Sequence, residues 1–326
     1  MKVIGVGNAL LDVLLSLKND SVLQEMGVKK GAMDLIDEST MREIQKAQSG
    51  LQRTEAPGGS VCNTMRAMAR LGAEVGYIGK IGDDLYGNIY ETRVREAGVN
   101  SFFVRTRGLS GCSTILVSPD GERTMATFLG PAATLSSEEI PDDVLRAYDC
   151  IYMEGYLISN DPLFLPVLKR AKNLGLKIAL DLSNFNIVNG FRSLLKDIIP
   201  AYVDILFSNE SEAEAYTGLP AREAVTAISK EAGISVVTIG KDGVLACNGD
   251  LTVHEKALDS HVVDTTGAGD NFAAGFLYGY IRGATLEQSA RIGSLLAGNV
   301  IEMFGAQIAE ERWEQIKLKV NEVLRK

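Results

Sequence analysis

The run DTTGAGD at residues 264–270 sets two glycines and a closing acid directly in front of an apolar stretch with helical spacing, residues 271–282. Gly267 and Gly269 let the backbone turn through positive φ, so the amides of Gly267, Ala268 and Gly269 face outward with little side-chain cover. Such amides hold an anion, and the positive end of the helix that follows strengthens the hold. The chemistry this suits is phosphoryl transfer, in which negative charge develops on the moving group. Asp270 has two readings. It caps the helix, as aspartate commonly does, or it takes the proton of an alcohol that attacks the phosphoryl group.

A second glycine pair, Gly58-Gly59, opens the segment 56–87, APGGSVCNTMRAMARLGAEVGYIGKIGDDLYG. Val61, Met65, Met68, Ala69 and Leu71 give a helix an apolar stripe, and Asn63 falls in its first turn. Paired glycines permit close backbone approach, so this is either a turn entering a packed helix or a set of amides, with Asn63, that meets a polyhydroxyl ligand. Asp83 and Asp84 read as turn residues before metal ligands. No GxxxxGK[ST] occurs, and GVGNAL at residues 5–10 has Leu10 where GxGxxG needs its third glycine, which disfavours a dinucleotide-binding oxidoreductase. His254 and His261 stand near no Ser or Cys nucleophile motif.

Both motifs need a scaffold that brings distant segments to one edge. Short aliphatic runs at residues 3–9, 150–156, 177–183, 204–210 and 235–240 alternate with helical patterns at 163–175 and 221–233, which predicts an α/β fold with a mostly parallel sheet. Several of these runs end in polar residues, Glu154, Asp181, Asn209-Glu210 and Thr238, and open α/β sheets bind ligands at the carboxyl ends of their strands. Residues 13–49 and 98–129 read differently. SFFVRTRG, CSTILVSPDGERTMATFL and the turn at Pro119-Asp120-Gly121 predict antiparallel strands and a hairpin, a small inserted lid on a core of residues 1–12, 50–97 and 130–326.

The totals narrow the setting. In 326 residues, 46% hydrophobic and 23% charged, no run approaches the roughly 20 apolar residues of a membrane span. The balance 33 − 42 = −9 repels polyanions and argues against nucleic acid as a partner. Cys62, Cys112, Cys150 and Cys247 are scattered without a CxxC pair, which fits a reducing, cytoplasmic setting. The apolar start is interrupted by Asn8 and Asp12 and reads as a first strand, not a secretory signal.

The two motifs, at their separation, resemble the signature regions of the ribokinase-like, or PfkB-type, carbohydrate kinases, and the resemblance covers nearly the whole chain. It implies a ribokinase-like three-layer sandwich that binds ATP, with a small β-sheet lid closing over a sugar-like alcohol. It implies that Asp270 is the catalytic base and that the amides from Gly267 through Ala268 and Gly269 to Asp270 form the anion hole. By the same match Asn8, Asp12, Gly58, Gly59 and Asn63 bind substrate hydroxyls. Asn209 and Glu212, in SNESE, match an NxxE pattern that organises Mg2+ and phosphate through water. Thr238, Gly240 and Gly243, with Lys241 as neighbour, match a nucleotide-contacting turn, and Asn299 would lie near the adenine. Asp264 and Thr266, with the segment 300–305, match a site for a monovalent cation such as K+.

Substrate identity is less sharply marked. GNALLDVL, GGSVCNT and DLSNF resemble the adenosine-kinase side of the family, and Ser183-Asn184 stand where many sugar kinases carry Asn-Pro. Phe102, Phe103 and Phe128 could stack on a base or belong to a core. Arg105, Arg107 and Arg123 could meet a phosphate already on the substrate or be solvated lid charges. The resemblance therefore implies transfer to a hydroxymethyl group of a sugar or nucleoside, adenosine or ribose- or fructose-like, with a phosphosugar kinase and a non-catalytic binding protein of the same fold as alternatives. An exposed lid edge would invite a homodimer.

Overall fold

The computed structural model describes residues 1–21, 23, 27–31, 33–47, 53–120, 122–249 and 251–325. Gly121 of the expected turn and the expected boundary at residues 49–50 lie outside the described residues. Fourteen strands form two sheets among them: β1 (Val3–Val6), β2 (Leu10–Ser16), β3 (Met33–Leu35), β4 (Arg53–Gly58), β5 (Val75–Gly82), β6 (Asn100–Thr106), β7 (Gly111–Val117), β8 (Arg123–Phe128), β9 (Cys150–Glu154), β10 (Lys177–Asp181), β11 (Ile205–Asn209), β12 (Ile234–Thr238), β13 (Val244–Cys247) and β14 (Thr252–Glu255).

The large sheet runs β14-β13-β12-β11-β10-β9-β1-β5-β6 and is parallel from β12 to β6, with an antiparallel edge at β13 and β14. Its inner strands, such as β1, β5 and β9, are fully buried runs because both faces are covered. Side chains alternate between two apolar layers: Cys150 and Tyr152 of β9 face one, Ile151 and Met153 the other. Helices Ser60–Arg70, Ala268–Ile281 and Leu286–Val300 cover the first face, and Phe164–Asn173, Phe185–Tyr202 and Ala221–Ala232 the second. This is a three-layer α/β sandwich.

The small sheet has the order β3-β8-β7-β2-β4. Two segments sit in the other sheet from the one expected. Asn100–Thr106 pairs in parallel with β5 as the edge of the large sheet, because Phe103 fits edge-on between Tyr77 and Tyr90 on one face while Phe102 meets Tyr148 on the other. The adjacent apolar residues Phe102, Phe103 and Val104 point to both faces of this half-buried edge strand and give no period to separate it from a lid strand. Conversely, Arg53–Gly58 pairs antiparallel with β2 and joins the small sheet. That sheet is mixed, since β2 and β7, and also β3 and β8, run parallel.

The helix that follows DTTGAGD is seated by close backbone approach. A Cβ on Gly275 would lie 2.5 Å from the Ile292 carbonyl oxygen and 2.8 Å from Gly293 Cα, both backbone atoms that cannot swing away. Gly275→Ala is expected to lose about 1–3 kcal/mol through overpacking, more than the roughly 1 kcal/mol that alanine adds to helix propensity. Urea unfolding measures this, and an unchanged midpoint would show that the two helices have room to part.

Candidate active site

Because β1, β9, β10, β11 and β12 run in parallel, their carboxyl ends reach one edge and bring Asn8, Glu154, Asp181, Asn209 and Thr238 together there. The Ala268–Ile281 helix points its first turn at the same edge. It begins three residues earlier than the apolar pattern suggests, and its cap is Gly267, at φ 74°. A Cβ there would lie 2.6 Å from Ala306 Cβ. Asn271 Nδ2 donates to the Gly267 and Ala306 carbonyls at 2.9 and 3.1 Å and ties the loop down.

Asp270 is thus in the first turn and does not cap its own helix. Its carboxylate turns to the neighbouring helix, accepting from Ser60 Oγ at 2.7 Å and Asn63 Nδ2 at 2.9 Å, while Thr64 Oγ1 donates to its backbone carbonyl at 3.1 Å. The Ala268 amide is spent on the Thr265 carbonyl at 3.2 Å. The amides of Gly269 and Asp270 are first-turn donors, with no carbonyl one helical turn earlier to receive them.

The glycine pair closes on the first strand. A Cβ on Gly58 would fall 2.2 Å from Asp12 Oδ2, and one on Gly59, at φ 86°, would fall 2.3 Å from the Asn8 carbonyl. Asn8 donates through its backbone N–H and Nδ2 to Glu154 Oε1, at 2.7 and 3.0 Å. Asn209 and Glu212 form a reciprocal cap: Asn209 N and Nδ2 donate to the carboxylate at 2.9 and 2.7 Å, and Glu212 N returns a bond to Asn209 Oδ1 at 2.9 Å.

Desolvation governs the acids gathered here. It raises Asp270 above the ordinary aspartate range, against the pull of Ser60 and Asn63. Asp12 is pushed up to about 7, by desolvation first and by the charge of Asp270 second, with Arg66 opposing. Glu154 is also pushed up to about 7, by desolvation against the Asn8 backbone bond, with Asp270 adding to the rise. Asp181 is raised well above the usual range by desolvation and then by Glu212, and Glu212 is raised by desolvation against its Asn209 bonds.

A cavity of about 280 Å³ is lined by Ser60, Asp181, Asn209, Glu212, Thr238 and Asp270. It adjoins a groove of about 670 Å³ through shared Thr238, Gly269 and Phe272. Gly240, Lys241 and Gly243 line that groove, together with the apolar Leu258, Ala297 and Ile301. Asn299 does not line it. Its Nδ2 donates to the Leu295 carbonyl of its own helix at 2.8 Å, and its neighbours Ala297 and Gly298 face the groove instead.

Asp264 and Thr266 already have a cationic partner. Arg123, from β8, brings Nη2 to 2.7 Å of Asp264 Oδ2 at an angle short of a hydrogen bond, and Nη1 donates to Thr266 Oγ1 at 2.8 Å. Arg105 lies on the large sheet's edge, paired with Glu91 and Asn88, and Arg107 is exposed. Phe103 packs on Tyr77 of β5, and Phe102 packs on Tyr148 just before β9. Asp84 caps the Leu85–Glu96 helix by accepting from Gly87 N at 2.8 Å, which is a turn role.

Three residues of the site had no role in the sequence reading. Ser60 carried no signal beyond following the glycine pair. Glu154 and Asp181 are visible as polar strand ends, but Glu154 meets Asn8 across 146 residues and Asp181 meets Tyr152 across 29.

An amide-lined helix start beside one desolvated carboxylate, at the carboxyl edge of a parallel sheet, defines a phosphotransferase that acts on an alcohol. Comparison with known proteins agrees. The model of the pfkB family carbohydrate kinases matches residues 30–313. The solved adenosine kinase of Sinorhizobium meliloti is 33% identical with a TM-score of 0.84, covering 98% of this chain and 99% of its own. A probable sugar kinase of Rhizobium etli is 33% identical with a TM-score of 0.85, covering 98% of both chains. The adenosine kinase of Schizophyllum commune is 27% identical, covering 97% of this chain and 98% of its own. This chain belongs to the PfkB family of carbohydrate kinases, and it is a sugar or nucleoside kinase of that family. No helix among the described residues is long and apolar enough to cross a membrane.

The raised Asp12 pKa has a consequence for stability. A carboxyl raised from 3.8 to about 7 on folding contributes stability that is complete below the unfolded pKa near 4 and is lost as pH rises through 7. Asp12→Asn does not titrate. Its unfolding free energy is expected to exceed that of the wild type by a margin that grows by on the order of 1–3 kcal/mol from pH 5 to pH 8. Scanning calorimetry across that range checks it, and a margin independent of pH would mean the carboxyl is not desolvated.

Proposed function

We propose that this protein transfers the γ-phosphoryl group of ATP to the hydroxymethyl group of a furanose, with adenosine as the substrate of choice. The observation that carries the reading is Asp270, which is held by Ser60 and Asn63 and desolvated beside first-turn amides. The full-length likeness to proteins named adenosine kinase supports the nucleoside. Arg105 and Arg123 are committed to acids elsewhere, which supports an acceptor that carries no phosphate of its own.

In this mechanism Asp270 takes the proton of the primary alcohol as its oxygen attacks the γ-phosphorus, and the bond to the β-phosphate oxygen breaks to release ADP. The Gly269 and Asp270 amides receive the charge on the transferring group. Asn8, Asp12, Asn63 and the Gly58-Gly59 turn orient the ring hydroxyls. The small sheet closes over the alcohol and keeps water from taking its place. The nucleotide lies in the groove lined by Thr238, Gly240 and Gly243, with its phosphates toward Asp270.

Mg2+, bound with the phosphates, supplies neutralising charge to the reacting oxygens. Asp181, Glu212 and Asn209 would hold it through water. The chemistry of the donor set fits, since two carboxyls raised by desolvation, Asp181 also by the charge of Glu212, line the cavity and favour a cation. No group of three or more ligating side chains forms a cage among the described residues, and Mg2+ characteristically keeps several waters. The four cysteines are free and buried, which supports a reducing, cytoplasmic setting. The small sheet's edge strands β3 and β4 support a homodimer through that face.

Asp270→Asn is expected to lower turnover by at least about 10³-fold while ATP binds with nearly its original affinity. ADP release with adenosine, ribose and fructose, together with ATP titration calorimetry, measures both. Near-normal turnover would remove Asp270 as the base, turnover with ribose or fructose but not adenosine would remove the nucleoside, and turnover with none of the three would remove the furanose.

A further inference from the structure

The loop that leads into the anion hole is fixed by one carboxylate that accepts three hydrogen bonds and meets a guanidinium. Asp264 Oδ1 accepts from Thr266 N at 3.1 Å and Thr266 Oγ1 at 2.8 Å. Oδ2 accepts from Gly305 N at 2.7 Å and meets Arg123 Nη2 at the same distance. Thr266 Oγ1 passes its proton side to Asp264 and receives Arg123 Nη1 at 2.8 Å. The guanidinium is also covered, with Cζ 4.1 Å from the centre of the Phe304 ring, and the side chains of Arg123 and Asp264 are only 18% and 10% exposed.

The family resemblance implies a monovalent cation at Asp264, Thr266 and the segment 300–305. The donors in this chain do not fit that ion. Both side chains, and Phe304 within the segment, are engaged by Arg123. A metal ion binding to these two side chains would have to displace a covered guanidinium whose planar fork spans a carboxylate and a hydroxyl.

We propose that Arg123 is a positioning residue that takes the place of the monovalent cation, so that the small sheet, and not K+, sets the loop leading to the anion hole. The inference rests on the kinase reading of that loop. It makes the wild-type enzyme indifferent to the choice of monovalent ion. It also makes the loop's order depend on where β8 sits, since the cation is tethered to that strand. Arg123→Met keeps an apolar stem over Phe304 and removes the charge, leaving Asp264 facing the space of a cation.

The test compares wild type and Arg123→Met in KCl, NaCl and N-methylglucamine chloride at equal ionic strength, by turnover and by melting temperature without substrates. Wild type is expected to show the same kcat/KM for ATP within about twofold in all three salts, and no K+-specific melting shift. Arg123→Met is expected to lose at least about tenfold in kcat/KM in NaCl and to regain part of it in KCl. Its melting temperature should rise by about 2 °C in KCl over NaCl, as binding to the folded state requires. A K+-specific gain in wild type, in turnover or in melting, overturns the proposal. So does an Arg123→Met protein as active and as cation-indifferent as wild type. Should that variant not fold, the wild-type salt comparison decides alone. The melting arm needs no turnover, so it stands apart from failure of the substrate assignment.

Discussion

Asp270 is held by Ser60 and Asn63, two residues near the start of a helix that lies more than 200 positions earlier in the chain. A carboxylate has about four lone-pair sites, and two donors fix its plane while leaving others for a substrate proton. The rest of the molecule serves that arrangement. The two helices must start side by side at the sheet's carboxyl edge, so one enters through Gly58-Gly59 pressed against Asn8 and Asp12, and the other through Gly267 pressed against Ala306. Behind them the small residues Gly275 and Gly279 let the second helix lie against Ile292, Gly293 and Ser289. The approach of backbones, more than any single side chain, determines where the carboxylate points.

The same topology carries an electrostatic cost. Parallel strands deliver their last residues to a single edge, and here those residues include Glu154 and Asp181, with Asp12, Glu212 and Asp270 close by. Each acid is raised by desolvation, Asp270 adds to the rise of Asp12, Glu154 and Asp181, and Glu212 adds to that of Asp181. A protein selected for stability alone would not gather five carboxyls there. In the proposed mechanism, a site that takes a proton beside a cation-bound polyphosphate benefits from them, because a raised pKa makes a stronger base and carboxyl oxygens attract the metal. The two apolar layers on either face of the sheet supply the stability that offsets this strain.

What the sequence made legible follows from range. DTTGAGD and GGSVCN are local, and glycine pairs before an apolar helix announce both the turn and the close approach, so Asp270, Gly58, Gly59 and Asn63 could be named without coordinates. The contacts that complete the site are not local. Ser60 meets Asp270 across 210 residues and Asn8 meets Glu154 across 146, and nothing in either neighbourhood encodes the partner. Asn299 was misplaced by the geometry of a helix, where each residue turns the side chain by about 100°, so Gly298 faces the groove and Asn299 faces its own helix. Residues 100–106 were read as lid because SFFV has no period. An aromatic run between Tyr77, Tyr90 and Tyr148 gives the same letters as a strand of a small sheet.

A diffusible ion and a tethered one solve the same electrostatic problem with different couplings. An ion from solution would tie the order of the loop at Asp264 to the salt around the protein, through its own binding equilibrium. A guanidinium on β8 ties it to the position of the small sheet, because the Arg123 contacts to Asp264 and Thr266 exist only where that sheet allows them. Coupling of this kind is reciprocal. Whatever stabilises the small sheet over the substrate then also biases the loop that presents Gly269 and Asp270, and whatever orders that loop draws the sheet. In the proposed coupling, substrate capture and preparation of the phosphoryl site become one equilibrium, linked through an arginine that need not touch either substrate.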